Sequence, residues 1–190
     1  MARFGALIAV VLVLLGLLFI WQKPTKDKAV AKSVMKEEFA DWHLYSSPND
    51  SFKVFFPTLP QNASTTVTDK ETQKPLTYNT FVAEKPDGTT FIVNVITLSD
   101  NPPDDIKVLK KLVDQMVLAN KDNHLSDVKE GNWHQYKSLD FLIDNNDVKV
   151  LAKAFKKGNR IYVISTIRKG EDIDPTEHLF FINSFEVNDK

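Results

Sequence analysis

The stretch that decides the fold of this chain consists of three segments: WHQYKSLDFLID (Trp133–Asp144), VKVLAKAFK (Val148–Lys156) and RIYVISTIR (Arg160–Arg168). Each segment is interpreted as one strand. Asn145-Asn146 and Gly158-Asn159 separate the segments, and both pairs suit two-residue hairpins that require positive φ. The stretch therefore predicts a three-stranded antiparallel meander.

Further strands are predicted upstream of this meander. Trp42–Tyr45 and Ser51–Pro57 flank a Ser-Pro-Asn-Asp turn, and Tyr78–Glu84 alternates moderately. Thr90–Leu98 is apolar on both faces, so it is expected in the middle of the sheet. The polar, Thr-rich segment Asn62–Lys74 is interpreted as a weak edge strand or a loop.

Two helices are predicted beside these strands. The first follows Asn101-Pro-Pro-Asp-Asp and carries an apolar stripe at helical spacing, formed by Ile106, Leu109, Leu112, Val113, Met116 and Val117. The second begins with Asp174 as N-cap, Pro175 at its first position and Glu177 as a capping-box residue, and it runs over His178–Phe185. The predicted fold class is α+β, with a central antiparallel sheet packed with helices.

The amino terminus predicts a membrane anchor. Phe4–Trp21 is eighteen residues without a charge or an amide, and as a helix of ~27 Å it nearly matches a ~30 Å hydrocarbon core. The predicted organisation is an N-terminal transmembrane helix over residues 1–21, a polar tether over 22–40 and a globular domain over 41–190. The alternative is a cleaved signal peptide, for which Ala29-Val30-Ala31 would be the site.

The side of the membrane on which the domain lies follows from basic residues. Arg3 and the short tail favour export, which predicts a single-pass protein with an extracytoplasmic domain on the envelope side. Four lysines favour the opposite orientation by the positive-inside rule, so a cytoplasmic domain is the alternative; they are Lys23, Lys26, Lys28 and Lys32.

Three segments together resemble a known family. They are FKVFFPTLP (Phe52–Pro60), NRIYVISTI (Asn159–Ile167) and FFINSFEV (Phe180–Val187). Their arrangement resembles the PsbP-like superfamily, which includes bacterial envelope proteins of unknown function, over roughly Trp42–Val187. The resemblance implies an α/β/α sandwich, in which helices flank a central antiparallel sheet, and a role in binding other proteins rather than in catalysis. It carries over no site residue, because no functional motif of the family occurs here.

A search for chemistry in the sequence identifies no catalytic, cofactor-binding or metal-binding site. The chain has no cysteine, which excludes disulfides and thiol nucleophiles, and its four histidines lack the spacing of metal ligands; they are His43, His124, His134 and His178. Asp144–Asp147 is better explained as a hairpin turn than as a calcium loop. A net charge of -1 argues against nucleic acid as a partner.

The sequence predicts a membrane-tethered, non-enzymatic binding module of the cell envelope that binds or stabilises another protein or complex. One alternative is a hydrolase-like enzyme with a dispersed site, in which His124 or His134 lies next to a carboxylate and a hydroxyl. The other is a lipid- or small-ligand-binding domain, with a cavity between sheet and helix lined by Phe and Val.

Overall fold

The structure of the protein is a computed structural model that describes residues 38–69, 72–103 and 105–188. Ten strands and two helices occupy these ranges. In chain order they are β1 (His43–Ser47), β2 (Phe52–Phe56), β3 (Gln61–Thr68), β4 (Pro75–Glu84), β5 (Thr90–Thr97), α1 (Asp105–Leu118), β6 (Asn123–Trp133), β7 (Tyr136–Asn145), β8 (Val148–Lys157), β9 (Arg160–Lys169), α2 (Pro175–Ser184) and β10 (Glu186–Val187).

Seven strands form the main sheet in the order β3-β4-β5-β9-β8-β7-β6, and every neighbouring pair is antiparallel. The predicted meander is confirmed as β7-β8-β9, with Asn146 at φ 51° and Gly158 at φ 60° in its two tight turns. Its first predicted strand, Trp133–Asp144, begins too early, because Trp133 ends β6 and β7 begins at Tyr136. β5 lies mid-sheet, as its apolar sequence predicts, and its neighbour there is β9, which is also buried along most of its length.

One face of the main sheet, here called the aromatic face, carries Phe81, Phe91, Phe155 and Tyr162. A second sheet of order β1-β2-β10 and helix α2 cover it. Phe52, Phe181 and Phe185 project from these covering elements and are fully buried. Burial of each such ring stabilises the fold by roughly 1.5–3 kcal/mol, so this layer is the main apolar core.

Phe39 and Trp42 close the aromatic layer at the amino-terminal end of the described chain. Phe39 stacks on Phe180 with ring centroids 4.1 Å apart, and Trp42 meets Phe91 edge-to-face at 4.9 Å. The core therefore includes Phe39, a residue that the sequence places in the tether.

The opposite face, here called the helix face, carries α1. Leu109, Leu112 and Val113 of α1 are buried and pack with Leu139 and Phe141 of β7. The predicted apolar stripe of this helix is confirmed as core. Polar contacts also hold α1 to the sheet. The buried Lys156 ammonium of β8 donates to Asp105 and to Asn101, both at 2.7 Å. This pairing fixes the start of α1 over β8.

The predicted α+β fold class is wrong. Strands hold 53% of the described residues and helices only 16%, so the fold is β-rich, with two antiparallel sheets. The sequence predicts no strand over most of β6, because β6 is polar and exposed along most of its length, which removes the alternation that reveals a strand. The second sheet depends on β10 pairing with β2, a contact between Glu186 and Lys53 that no local pattern contains.

The predicted single-pass membrane localisation is not supported by the structure. The predicted transmembrane helix lies outside the described residues. Within the described ranges neither helix is long and apolar enough to cross a bilayer. The longer one, α1, spans fourteen residues and carries Lys107, Lys110, Lys111 and Asp114, whereas a crossing helix requires about 20 mostly apolar residues.

Candidate interaction surface

β3 is the outermost strand of the main sheet on one side. It pairs with β4 over its whole length, from Gln61 opposite Val82 to Thr68 opposite Pro75. No strand of the described residues pairs with its other side. Seven of its eight side chains are exposed, and Val67 is half-buried. β3 therefore presents one free backbone edge to its surroundings.

The ladder geometry shows which residues of β3 offer that edge. The Asp69 N–H donates to the Lys74 carbonyl at 2.8 Å, which makes this pair a hydrogen-bonded one. Hydrogen-bonded and non-hydrogen-bonded pairs alternate along an antiparallel ladder. Ala63, Thr65 and Val67 consequently bond to β4 through their backbones. The backbone N–H and C=O groups at the alternate positions point away from β4, namely those of Asn62, Ser64, Thr66 and Thr68.

Side-chain hydrogen bonds hold β3 flat against β4. The Ser64 hydroxyl donates to the Asn79 Oδ1 at 2.6 Å, and the Thr66 and Thr77 hydroxyls are 3.0 Å apart. The Asn79 Nδ2 donates in turn to Asp50 at 2.5 Å. Hydrogen bonds through Ser64 and Asn79 therefore connect the free edge to the β1–β2 turn of the second sheet. The position of β3 is fixed without a bound partner.

Asp50 is the buried centre of that connection. Its carboxylate also accepts from the Ser47 hydroxyl at 2.7 Å, and its carbonyl accepts from the Tyr162 hydroxyl at 3.0 Å. Arg160 donates to the Ser51 hydroxyl and to the Asn49 carbonyl. Residues 49–51 therefore connect the turn of the second sheet with β4 and β9 of the main sheet. Nothing in the sequence marked Asp50, because an Asp in a Ser-Pro-Asn-Asp turn is ordinarily solvated.

β3 carries no ionisable side chain. Its sequence is QNASTTVT, in a chain in which 26% of residues are charged. The exposed Lys74–Asp100 ion pair, with 2.8 Å between Nζ and Oδ2, lies beyond the end of the strand. Edge strands usually carry charges, proline or a bulge that discourage pairing with other chains. The absence of charge from Gln61–Thr68 is the sequence signal that could have identified this surface.

The other edge of the main sheet is β6, and it is protected. A bulge at Ser126 shifts the register between Leu125 and Asp127, which interrupts the regular spacing of its free groups. Lys129 and Glu130 follow, and Glu130 pairs with Lys110 of α1 at 2.6 Å. The two edges of one sheet therefore differ in charge and in regularity.

A cluster of charged residues lies where the β4–β5 turn meets the start of α2. Lys85 pairs with Glu177 and lies 3.4 Å from Asp87, and Arg168 donates to Asp87 at 3.1 Å and to Glu171 at 2.5 Å. Burial alone would raise the pKa of Asp87, but hydrogen bonds from Thr89 and the neighbouring cations lower it to about 2. All these charges pair with one another, so the cluster fastens α2 to the sheet. Glu177 accordingly faces Lys85, while the predicted N-cap Asp174 is confirmed by its bond from the Thr176 N–H at 2.8 Å.

The structure places the four histidines apart. His43, His124 and His134 are exposed, and His178 is buried and lies 2.9 Å from the Thr166 hydroxyl through its Nδ1. Burial lowers the pKa of His178 to about 4, with a small opposing contribution from Asp140 and a reinforcing one from Lys153. Within the described ranges no three potential ligands gather as a metal site.

His124 lies opposite Asp144, as the enzyme alternative requires, and the hydroxyl of Ser126 is also close. This hydroxyl donates to the Asp144 carboxylate, whereas a nucleophilic serine requires an imidazole as its acceptor. Both His124 and Ser126 are exposed on the edge strand β6. The arrangement is a surface hydrogen bond at a bulge.

Comparisons with known proteins add no relative to this picture. No protein-family model matches the chain, and no curated protein matches it.

Proposed function

We propose that this protein is a non-enzymatic binding module that takes up an extended segment of a protein partner on the free edge of β3. The single observation that supports this function is the combination of a regular, uncharged, fully formed edge with the protected edge on β6. An added strand gains main-chain hydrogen bonds from the outward groups of β3, and its alternate side chains meet the two faces. The role agrees with the protein binding that the resemblance to the PsbP-like superfamily implies.

Two features of the structure favour strand binding at β3 over the ligand-binding and enzyme alternatives. Stacked rings fill the layer between the sheets, for example Phe52 on Phe185 at 5.3 Å and Phe155 on Tyr162 at 5.1 Å. A lipid or small ligand between sheet and helix α2 would have to displace them. Beneath α2 the buried His178, which bonds to Thr166, occupies the same layer. For the enzyme alternative, the Ser126 hydroxyl next to His124 donates to Asp144 rather than to an imidazole.

The test is site-specific photo-crosslinking in cells that produce the full chain. A benzophenone amino acid replaces Thr65 on β3 in one variant and Val128 on β6 in a matched control, both positions being exposed strand residues. We expect a discrete adduct from position 65 only, and we expect it to disappear when Thr66→Pro removes an outward N–H. Adducts of equal yield from both edges, or an adduct that persists in the proline variant, would overturn strand addition at β3.

A further inference from the structure

We propose that the segment which pairs with β3 is β3 of a second copy of this chain, in an antiparallel ladder about a twofold axis at Thr65. This inference rests on the proposed function and names its partner. The two copies would form one continuous sheet, because each main sheet ends at this edge within the described residues.

The backbone of β3 meets the requirement of self-pairing. A twofold axis at Thr65 sets Ser64 opposite the partner subunit's Thr66 and Asn62 opposite the partner subunit's Thr68. These four residues are the ones whose N–H and C=O groups point outward. Each opposed pair exchanges two hydrogen bonds, so the symmetric ladder has about eight of them. Thr65 lies on the axis as a non-hydrogen-bonded pair with itself, which matches its backbone bonding to β4.

The side chains of β3 are also self-complementary. Residues opposite each other in an antiparallel ladder project to the same face. On the aromatic face the ladder joins only hydroxyl and amide side chains, because Asn62, Ser64, Thr66 and Thr68 are the residues there. On the helix face Ala63 meets the partner subunit's Val67, so a small apolar side chain meets a larger one. No charge opposes a like charge anywhere along Gln61–Thr68.

The length of the edge sets the expected strength. Eight residues at ~3.3 Å each make a contact of ~26 Å, and a single ladder buries less surface than the roughly 1,600 Å² of a standard stable interface. We therefore expect a reversible dimer with a roughly micromolar dissociation constant. The same symmetric pairing is blocked at β6 by its bulge and its charges.

Charge reversal across the axis tests the proposal directly. In Thr65→Lys and in Thr65→Glu, two like charges face each other at Cβ distances of about 5 Å, which destabilises the pair. We expect each variant alone to dimerise at least tenfold more weakly than the wild type. An equimolar mixture should recover the dimer as a heterodimer, since lysine then faces glutamate. Sedimentation velocity measures the dissociation constants, and native mass spectrometry identifies the heterodimer.

The control is Val128→Lys, which places the same charge on an exposed position of β6 and should leave the dimer unchanged. All measurements use the full 190-residue chain, so association through any other segment is common to every variant. Urea unfolding verifies that the variants are folded. Backbone amide exchange supplies an independent signal: the Ser64 and Thr66 amides should be protected in the wild-type dimer and exposed in either charged variant.

The outcomes separate this inference from the proposed function. A wild-type chain that stays monomeric to hundreds of micromolar, or charged variants that dimerise like the wild type, would overturn self-pairing. A β3-specific photo-adduct at twice the 21.6 kDa of the chain supports it. An adduct of another mass overturns self-pairing and supports a different protein partner at the same edge. Absence of any β3-specific adduct overturns both proposals.

Discussion

The two edge strands of the main sheet, β3 and β6, both carry backbone groups without a partner among the described strands, but they differ in charge and in the regularity of their pairing. β6 has eleven residues, a bulge at Ser126, three charged side chains and an ion pair from Glu130 to α1. β3 has eight residues in unbroken register with β4 and no charge. Unpaired edges invite association with other chains, and proteins ordinarily suppress it. The protection of β6 alone is the observation on which the proposed binding at β3 rests.

The two edges also differ in how they are supported. Hydroxyl and amide side chains fasten β3 to β4, and Asn79 extends this contact to the buried Asp50. β6 is fastened at its start by Asn145, whose Nδ2 donates to the Asn123 side chain at 2.7 Å, and at its end by the buried Trp133. Between these points its exposed side chains are free to carry charge. A polar but uncharged ladder keeps β3 both soluble and open to pairing.

The largest expected effect is on the stability of the interior that supports both edges, and its cause is the protonation of His178. Its pKa in the folded protein is about 4, below the value of 6.5 in the unfolded chain, so the unfolded state binds the proton first on acidification. The stability that is present above pH 6.5 should therefore fall by about 3 kcal/mol as the pH drops from 6.5 to 4. The stabilisation from Asp87, whose pKa is lowered from 3.8 to about 2, is lost only below that window, as the pH falls from about 4 to 2.

Urea unfolding between pH 7 and pH 4.5 measures this loss, and His178→Gln should flatten it. The dimer should not follow the same profile, because β3 contains no ionisable side chain. Dissociation constants at pH 7 and pH 5.5 are expected to agree within twofold. A dimer that weakens in parallel with the fold would show that the β3 edge depends on the interior, and the contrast between the edges would lose its simplest explanation.

A proline at neighbouring positions of β3 should have two different effects. Thr65→Pro removes an N–H that bonds to β4, which should lower the free energy of unfolding by about 2 kcal/mol. Thr66→Pro removes an outward N–H, where edge strands tolerate proline, and should cost less than about 1 kcal/mol while it weakens dimerisation at least tenfold. Urea unfolding and sedimentation velocity measure the two quantities. The reverse result would mean that the backbone N–H and C=O groups of the odd-numbered residues of β3, and not those of the even-numbered ones, point away from β4.

Removal of the protection from β6 should give a second associating edge. The variant deletes Ser126 and replaces Asp127, Lys129 and Glu130 with threonine, with a control that keeps the bulge and changes only the charges. We expect stability within about 1 kcal/mol of the wild type, since these side chains are exposed. Two open edges per copy permit open-ended assembly, so the sedimenting species should grow with concentration. A variant that stays dimeric would show that β6 is blocked by something other than its bulge and charges.

The smallest effects are expected from salt and from the exposed ion pair on β6. Lys110 and Glu130 are each about half exposed, so Glu130→Gln should change the free energy of unfolding by less than about 0.5 kcal/mol. Raising the salt concentration from 50 to 500 mM should leave the dissociation constant of the dimer within twofold, because no charge lies on β3. A strong dependence on salt would assign the association to a charged surface instead.

Much of the local structure could be predicted from the sequence, and the candidate surface only in part. Apolar, strand-like runs between turn signals identified β2, β5 and the meander, and the apolar stripe identified α1. For β3 the sequence predicts either an edge strand or a loop, because a Thr-rich segment with seven exposed side chains shows no alternation of apolar and polar residues. β6 was missed for the same reason. Edge strands bury few of their side chains, so their sequences show the weakest alternation of apolar and polar residues.

The sequence by itself determined the elements whose cause is local. They include the hairpin turns at Asn146 and Gly158, the N-cap at Asp174 and the absence of charge from Gln61–Thr68. Only the tertiary structure decided the order of the sheet, in which β5 pairs with β9 across α1 and three strands, and hence which strands became edges. It also decided that a second sheet covers the aromatic face. Such pairings bring together residues far apart in the chain, and their free energy comes from shared burial that no single segment carries.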